Sequence, residues 1–126
     1  MADTSDSVQS FTGLATDADN SRLMIQPGTA ERCAAECDTY VLQLRALYRR
    51  AESVVHVDSF GALPSAQKLG GKFRDLAIGG AGTGSYREAI QKHIETVEAM
   101  ADMFRKAGAA YAATEQGNTA DIGRST

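Results

Sequence analysis

The feature that most constrains this chain is a long run of apolar residues with helical spacing. The run recurs every three or four residues and comprises Ala30, Cys33, Ala34, Cys37, Tyr40, Val41, Leu44, Leu47, Tyr48, Ala51, Val54 and Val55. Such spacing is typical of an amphipathic helix. Because Pro27 and Gly28 precede the run, we predict a helix with Thr29 as its N-cap and a length of roughly 40 Å.

A second run of the same kind begins at Tyr86. Its members are Tyr86, Ile90, His93, Ile94, Val97, Met100, Ala101, Phe104, Ala107, Gly108 and Tyr111. Ser85 and Glu88 have the spacing of a capping box, in which the two side chains satisfy free amides at a helix start. We therefore predict a second long helix from Tyr86. Two helices of matched length favour an antiparallel hairpin.

Between the two runs the sequence predicts a turn and a short helix. Gly61 tolerates positive φ, and Pro64 cannot continue a helical ladder because it lacks an amide. The short helix is predicted from Pro64 to about Ala77, on an apolar face of Ala66, Leu69, Phe73, Leu76 and Ala77. No stretch has the alternation expected of a strand. The predicted fold class is all-α: an antiparallel helical hairpin of two long helices with a short extra helix after the turn.

Three segments follow from these patterns. Residues 1–25 are rich in Ser, Thr and Asp and are predicted to form a flexible acidic arm. Their charged residues are Asp3, Asp6, Asp17, Asp19 and Arg22. Residues 26–116 are predicted to form the helical hairpin domain, and residues 117–126 a flexible C-terminal tail.

The apolar stripes are wider than a two-helix seam requires. Such a seam uses two apolar positions per heptad, whereas both runs contain adjacent apolar pairs that give about three. One neighbouring helix does not cover a stripe of that width, so we predict a homo- or heterodimer with a similar small helical protein, arranged as a four-helix bundle. The interface candidates are Tyr40, Leu44, Leu47, Tyr48, Ile90, Ile94, Val97 and Phe104.

Composition argues against several classes of function. With 13 Lys and Arg against 16 Asp and Glu, the chain has no basic field for nucleic acid or anionic lipid. Two local basic strips are interpreted as solvated faces: Arg45, Arg49 and Arg50, then Lys68, Lys72 and Arg74. No signal peptide and no membrane span is evident, so we predict synthesis in the cytoplasm.

The residues with potential chemistry favour binding over catalysis. The run Gly80-x-Gly82-x-Gly84-Ser85 lacks the Lys of a P-loop and is interpreted as a connection. Cys33 and Cys37 lie one helical turn apart and are interpreted as reduced and buried, while His56 and His93 complete no zinc motif. No nucleophile has a recognisable base. We predict no enzyme activity, no metal and no cofactor.

Two motifs carry a resemblance to a known family. Phe60-Gly61-x-Leu63-Pro64 forms the turn, and Tyr111-Ala-Ala-Thr-Glu115 lies near the end of the last predicted helix. Together with the order of a long helix, a turn and a second long helix, they resemble the WXG superfamily and, in particular, the EspC-like type VII secretion-associated proteins of actinobacteria. The likeness covers roughly residues 26–116.

The resemblance implies a protein that acts by binding and is secreted without a cleaved signal peptide, either as a substrate or with a partner. Tyr111 and Glu115 would then be the export signal read by the secretion machinery. The same spacing recurs at Tyr48 and Glu52, but only the later pair precedes a predicted loose end. The alternative is a cytoplasmic helical adaptor or chaperone that is not exported.

Overall fold

The structure is a computed structural model that describes residues 4–51, 61–79 and 84–125. Over these ranges the chain is all-α, as predicted, with no strand. Its helices are α1 (Thr4–Asp19), α2 (Pro27–Arg50), α3 (Pro64–Ile78) and α4 (Tyr86–Ser125). Val54, Val55, His56 and Phe60 lie outside the described residues. No described helix combines the length and the apolar content that crossing a bilayer requires.

Helix α1 is the largest departure from the sequence prediction. An arm without regular structure was expected over residues 1–25, yet Thr4–Asp19 is helical. Its inward face has helical spacing and consists of Val8, Phe11, Ala15 and Ala18, of which the two alanines are buried. Three hydroxyls donate to the carbonyl four residues earlier, at 2.8–3.1 Å: Ser10, Thr12 and Thr16. These polar side chains are therefore satisfied within the helix.

The segment between α1 and α2 closes one helix and opens the next. Ser21 adopts φ of 59°, and Arg22 N donates to Asp17 O at 2.7 Å, which is the C-terminal pattern of a Schellman motif. The N-cap prediction for α2 was wrong. Thr29 N instead donates to Gln26 Oε1 at 2.8 Å, so Gln26 caps the helix. Pro27 occupies the first helical position, where its missing amide costs nothing.

Helices α3 and α4 begin as predicted. Pro64 is at the start of α3, and Gly61 has φ of 86° in the preceding turn. At the start of α4, Glu88 N donates to Ser85 Oγ at 3.1 Å, which confirms the first half of the capping box. The Glu88 carboxylate accepts from Gly84 N at 3.1 Å rather than from the amide of Ser85. Ser85 is buried and also donates to Gly79 O at 3.3 Å, which links the ends of α3 and α4.

The C-terminal end of α4 also differs from the prediction. Residues 117–126 were expected to form a flexible tail, whereas α4 continues through Gly117 to Ser125. Thr119 Oγ1 donates to Glu115 O at 2.9 Å and so is satisfied inside the helix. The division of the chain into domains at residues 26 and 116 stays a prediction.

The chain forms two compact units. The first unit consists of two segments, the chain up to Val41 and the chain from Glu95 onward. The second unit is Leu42–Ile94. The described core of the first unit consists of Ala15, Ala18, Ala30, Ala34, Cys37, Val41, Val97, Ala101, Met103, Ala107 and Ala110. Because alanine buries little apolar area, this core supplies less hydrophobic stabilisation than one built from leucine. Small side chains also let helix backbones approach closely.

One contact shows how closely α2 and α4 approach in the first unit. A Cβ added at Gly108 would lie 2.8 Å from the Cβ of Ala30 and 3.7 Å from the Cα of Pro27. Ile25 N donates to Ala107 O at 3.2 Å beside this contact. The absence of a side chain at residue 108 is therefore required for the observed packing.

The second unit has a core of larger residues. Its buried apolar residues among those described are Leu44, Ala51, Ala77, Ile90 and Ile94. The Arg87 guanidinium lies 4.3 Å from the ring centroid of Tyr48, a cation–π contact between α2 and α4. His93, which the sequence placed on the apolar stripe, is exposed.

Candidate interaction site

A shallow apolar groove lies between α2 and α4 in the first unit. Its floor is formed by Cys33, Cys37, Met100 and Phe104, and its rim by Thr29, Arg32 and Glu36. The groove has a volume of about 570 Å³ and is open to solvent. Two helices with an apolar floor between them form the kind of surface that accepts one face of an amphipathic helix.

An ion pair lies beside the groove and joins its two walls. Both terminal nitrogens of the Arg105 guanidinium, Nη1 and Nη2, donate to the Asp38 carboxylate, the Nη1–Oδ1 distance being 3.4 Å. The hydrogen bond from Arg105 lowers the pKa of Asp38 from its ordinary range. A carboxylate with a lowered pKa stabilises the fold above its ordinary pKa, and that contribution is lost as the pH falls. The two parallel contacts have the fork geometry of a guanidinium–carboxylate pair and link α2 to α4 at the surface.

The two cysteines of the groove differ in their surroundings. Both are unbridged; Cys37 is buried as predicted, whereas Cys33 is half-buried because it faces the open side. Burial is the largest cause that raises the pKa of Cys37, followed by the nearby charge of Asp38. The Cys37 thiol therefore stays protonated to a higher pH than an ordinary cysteine.

We expect this difference to appear in alkylation of single-thiol variants. Cys33→Ala leaves Cys37 as the only thiol, and Cys37→Ala leaves Cys33. Because iodoacetamide reacts with the thiolate, the protein that retains Cys37 should react slowly near neutral pH and accelerate only above the ordinary thiol pKa. Mass spectrometry over a pH series measures both rates. Faster labelling of Cys37 than of Cys33 at neutral pH would contradict the burial of Cys37.

The predicted interface residues divide into two groups. The first group is buried in the chain itself and comprises Leu44, Ile90, Ile94 and Val97. The prediction that these residues contact a partner is therefore corrected: they are core residues. Tyr40 and Leu47 are exposed, and Tyr48 and Phe104 are half-buried. The physical reason is that each compact unit uses these residues for its own core: Leu44, Ile90 and Ile94 lie in the core of the second unit, and Val97 lies in that of the first. Of the predicted set, only Phe104 lines the groove.

The predicted export residues lie on α4. Tyr111 is half-buried and Glu115 is exposed, four residues apart and therefore on one side of the helix. The expected loose end after them is absent, because α4 continues to Ser125. The second copy of the spacing differs, since the Tyr48 ring lies under the Arg87 guanidinium. Glu52, its other member, lies outside the described residues.

The turn motif is described in part. Phe60 lies outside the described residues. Gly61 has positive φ, Leu63 is exposed in extended backbone at the N-cap of α3, and Pro64 is the first residue of that helix. The motif therefore acts locally as a helix start, with Gly61 supplying a backbone conformation that other residues rarely adopt.

The other candidate chemistry involves the glycine-rich connection and metal ligands. Residues 80–83 lie outside the described part. Gly84 N donates a hydrogen bond to the Glu88 carboxylate. This carboxylate therefore occupies the helix start, where an anion would otherwise bind. Across the described ranges, no three His, Cys, Asp or Glu side chains come together in a way that could hold a metal ion.

Several residues of the groove escaped the sequence analysis. Met100 belonged to the predicted stripe, but its position at the surface was not foreseen. Arg32 and Glu36 belong to no sequence motif that would mark them as groove residues. The pairing of Asp38 with Arg105 links residues 67 apart and has no local sequence signal.

Comparison of the chain with protein-family models, with curated proteins and with solved structures finds no match.

Proposed function

We propose that the chain is a type VII secretion-associated helical interaction protein, either a secreted substrate or a co-secreted partner, which acts by binding another protein. The observation that carries the binding part of the proposal is the open apolar groove between α2 and α4, whereas the export part rests on Tyr111 and Glu115. A groove with Phe104 and Met100 in its floor has the aromatic and sulfur-containing side chains that are enriched at the centre of protein interfaces. Catalysis has no part in the proposal.

The antiparallel hairpin of α2 and α4 is part of this proposal. Within the first unit, Ala30 approaches Gly108 and Asp38 pairs with Arg105, so residue numbers rise along α2 as they fall along α4. This order supports an antiparallel pair of long helices. We propose that the pair forms half of a four-helix bundle.

The proposed partner is a similar small helical protein, either a second copy or a related chain. An amphipathic helix of such a partner would place apolar residues against Phe104 and Met100 and polar residues toward Arg32 and Glu36. The alanine-rich core of the first unit supports this choice, because the apolar area buried with a partner adds stabilisation that the isolated unit lacks.

The proposed export signal is the pair Tyr111 and Glu115, which the secretion machinery would read as a ring and a carboxylate on one side of α4. The exposure of Glu115 supports this role. The engagement of Tyr48 with Arg87 favours the later pair over the earlier one. Because α4 continues past Glu115, a receptor would bind a helical surface.

An isosteric substitution tests the export signal. Glu115→Gln removes one exposed charge with little change in shape, and Glu52→Gln makes the same change in the other Tyr-x-x-x-Glu sequence. We expect Glu115→Gln to lower the amount of protein in the culture filtrate of the producing cell at least about tenfold. This is the effect of losing one charge-assisted contact with the receptor. Deleting residues 110–126 is a poorer test, because it removes the buried Ala110.

Filtrate and cell-associated levels are measured by quantitative immunoblot. Glu52→Gln should be exported like the wild type. Unchanged export of Glu115→Gln, or an equal loss in both variants, would contradict the assignment.

The alternative is a cytoplasmic helical adaptor or chaperone that uses the same groove and is not exported. It predicts that neither the wild type nor the variants reach the filtrate, while the partner is recovered from the cell. The groove supports both functions equally, and export alone distinguishes them.

A further inference from the structure

Helix α3 presents an apolar strip to solvent. Leu69 is 45% exposed and Leu76 is 64% exposed, and Leu63, immediately before the helix, is 68% exposed. The spacing of Leu69, Phe73 and Leu76 puts them on one side of the helix. Among the residues of α3 whose side chains the structure describes, Ala77, at the edge of this strip, is the one that is buried. A folded helix rarely leaves its large apolar residues outside the core without a binding role.

Lysines flank the strip. Lys68, Lys72 and Leu76 follow one another four residues apart, so both lysines lie in the row beside Leu69 and Phe73. Lys68, Lys72 and Arg74 are all exposed. Against these three cations α3 carries one acid, Asp75, which gives this helix a charge of +2, whereas the whole chain has −3. The positive charge is therefore local to α3. The balanced charge of the whole chain, which argued against anionic lipid, does not describe this helix, where the basic strip lies beside exposed leucines.

We propose that α3 binds an anionic lipid surface. The helix would lie in the plane of the interface, with Leu69 and Leu76 inserted among the acyl chains and Lys68 and Lys72 extended to the lipid phosphates. Basic residues beside an apolar strip, on a helix of low overall hydrophobicity, are the features of interfacial helices. Lysine suits this position because its aliphatic part lies along apolar surface while its ammonium reaches the headgroups.

Charge complementarity selects this occupant. Each α3 carries a charge of +2, so two copies brought together by their strips would repel each other, which disfavours a second copy of the chain. An acidic protein surface shares the charge of an anionic membrane, and the test separates the two. The proposal concerns a surface on the second unit and is independent of the groove and of export.

The absence of tryptophan permits a clean probe. Leu76→Trp and Leu42→Trp each create a protein with one tryptophan. Leu42, on α2 in the same unit, is also 64% exposed and serves as the matched control. The probe is titrated with vesicles of phosphatidylcholine alone, and with vesicles containing equal parts of phosphatidylcholine and phosphatidylglycerol.

The Leu76→Trp emission is expected to shift to shorter wavelength, and to be quenched by brominated acyl chains, only with the anionic vesicles. The Leu42→Trp emission should not change. Adding Lys68→Gln and Lys72→Gln to Leu76→Trp should raise the lipid concentration at half-binding by about 25-fold, since each lysine near an anionic surface contributes about fivefold. Both substitutions replace exposed side chains, so circular dichroism should show an unchanged melting curve.

Three results would overturn the proposal. The first is no binding to anionic vesicles, and the second is equal binding to neutral vesicles. The third is an unchanged half-binding concentration after the lysines are replaced. If the first result is accompanied by a blue shift on addition of an acidic partner protein, the strip is assigned to protein recognition.

Discussion

Gly108→Ala should lower the free energy of unfolding by about 1–3 kcal/mol, although alanine is the better helix former. The new methyl group would lie 2.8 Å from the Cβ of Ala30, which is fully buried. Neither atom is the end of a flexible side chain, so relief requires α2 and α4 to move apart. Chemical denaturation followed by circular dichroism measures the effect.

Gly117→Ala is the matched control in the same helix. No atom lies within 4 Å of the Cβ position at Gly117, so the substitution should stabilise the chain by up to about 1 kcal/mol through helix propensity alone. The two variants should therefore change stability with opposite signs. An increase in stability for Gly108→Ala would show that α2 and α4 do not meet at Ala30.

Phe104→Glu should weaken association with the helical partner by roughly 30-fold or more. Removing an aromatic residue from the centre of a protein interface commonly costs about 2 kcal/mol of binding free energy. Burying a carboxylate in its place adds a desolvation penalty. Phe104 is half-buried in the groove floor and is accessible to a partner. The dissociation constant of the complex is measured by sedimentation equilibrium.

Leu42→Glu is the control for this prediction. It adds the same charge at an exposed apolar residue outside the groove. We expect it to leave the dissociation constant unchanged, and we expect the melting curves of both variants to show a folded chain. Equal weakening by both substitutions would place the interface elsewhere.

The parts of the fold that could be predicted depend on large apolar residues and on local turn chemistry. The stripe from Ala30 and the Ser85–Glu88 box identify α2 and α4, and Pro64 identifies the start of α3. Helix α1 could not be found in the same way because its buried face is mostly alanine, and small residues give a weak periodic signal. The spacing of Val8, Phe11, Ala15 and Ala18 was the one available indication.

Helix ends were harder to predict because they depend on which side chain happens to reach a free amide. Gln26 caps α2, although Thr29 is the more usual residue type for that position. The predicted flexible tail begins at Gly117, yet a glycine within a helix costs only about 1 kcal/mol and the helix continues.

The candidate site was predicted less completely than the fold. The stripe identifies which residues are apolar, but only the packing determines which are covered: Leu44 and Ile94 are core, while Phe104 remains accessible. The Asp38–Arg105 pair and the Ala30–Gly108 contact join residues distant in the chain. A single sequence carries no signal for such pairs.

The central claim is that this chain functions bound to another small helical chain. Its most direct test is the molar mass, by light scattering at micromolar concentration, of the protein purified under native conditions from the cell that produces it. We predict a mass of two small chains, about twice the 13.4 kDa of one, as a homodimer or as a one-to-one complex. A monodisperse species with the mass of a single chain would contradict the claim.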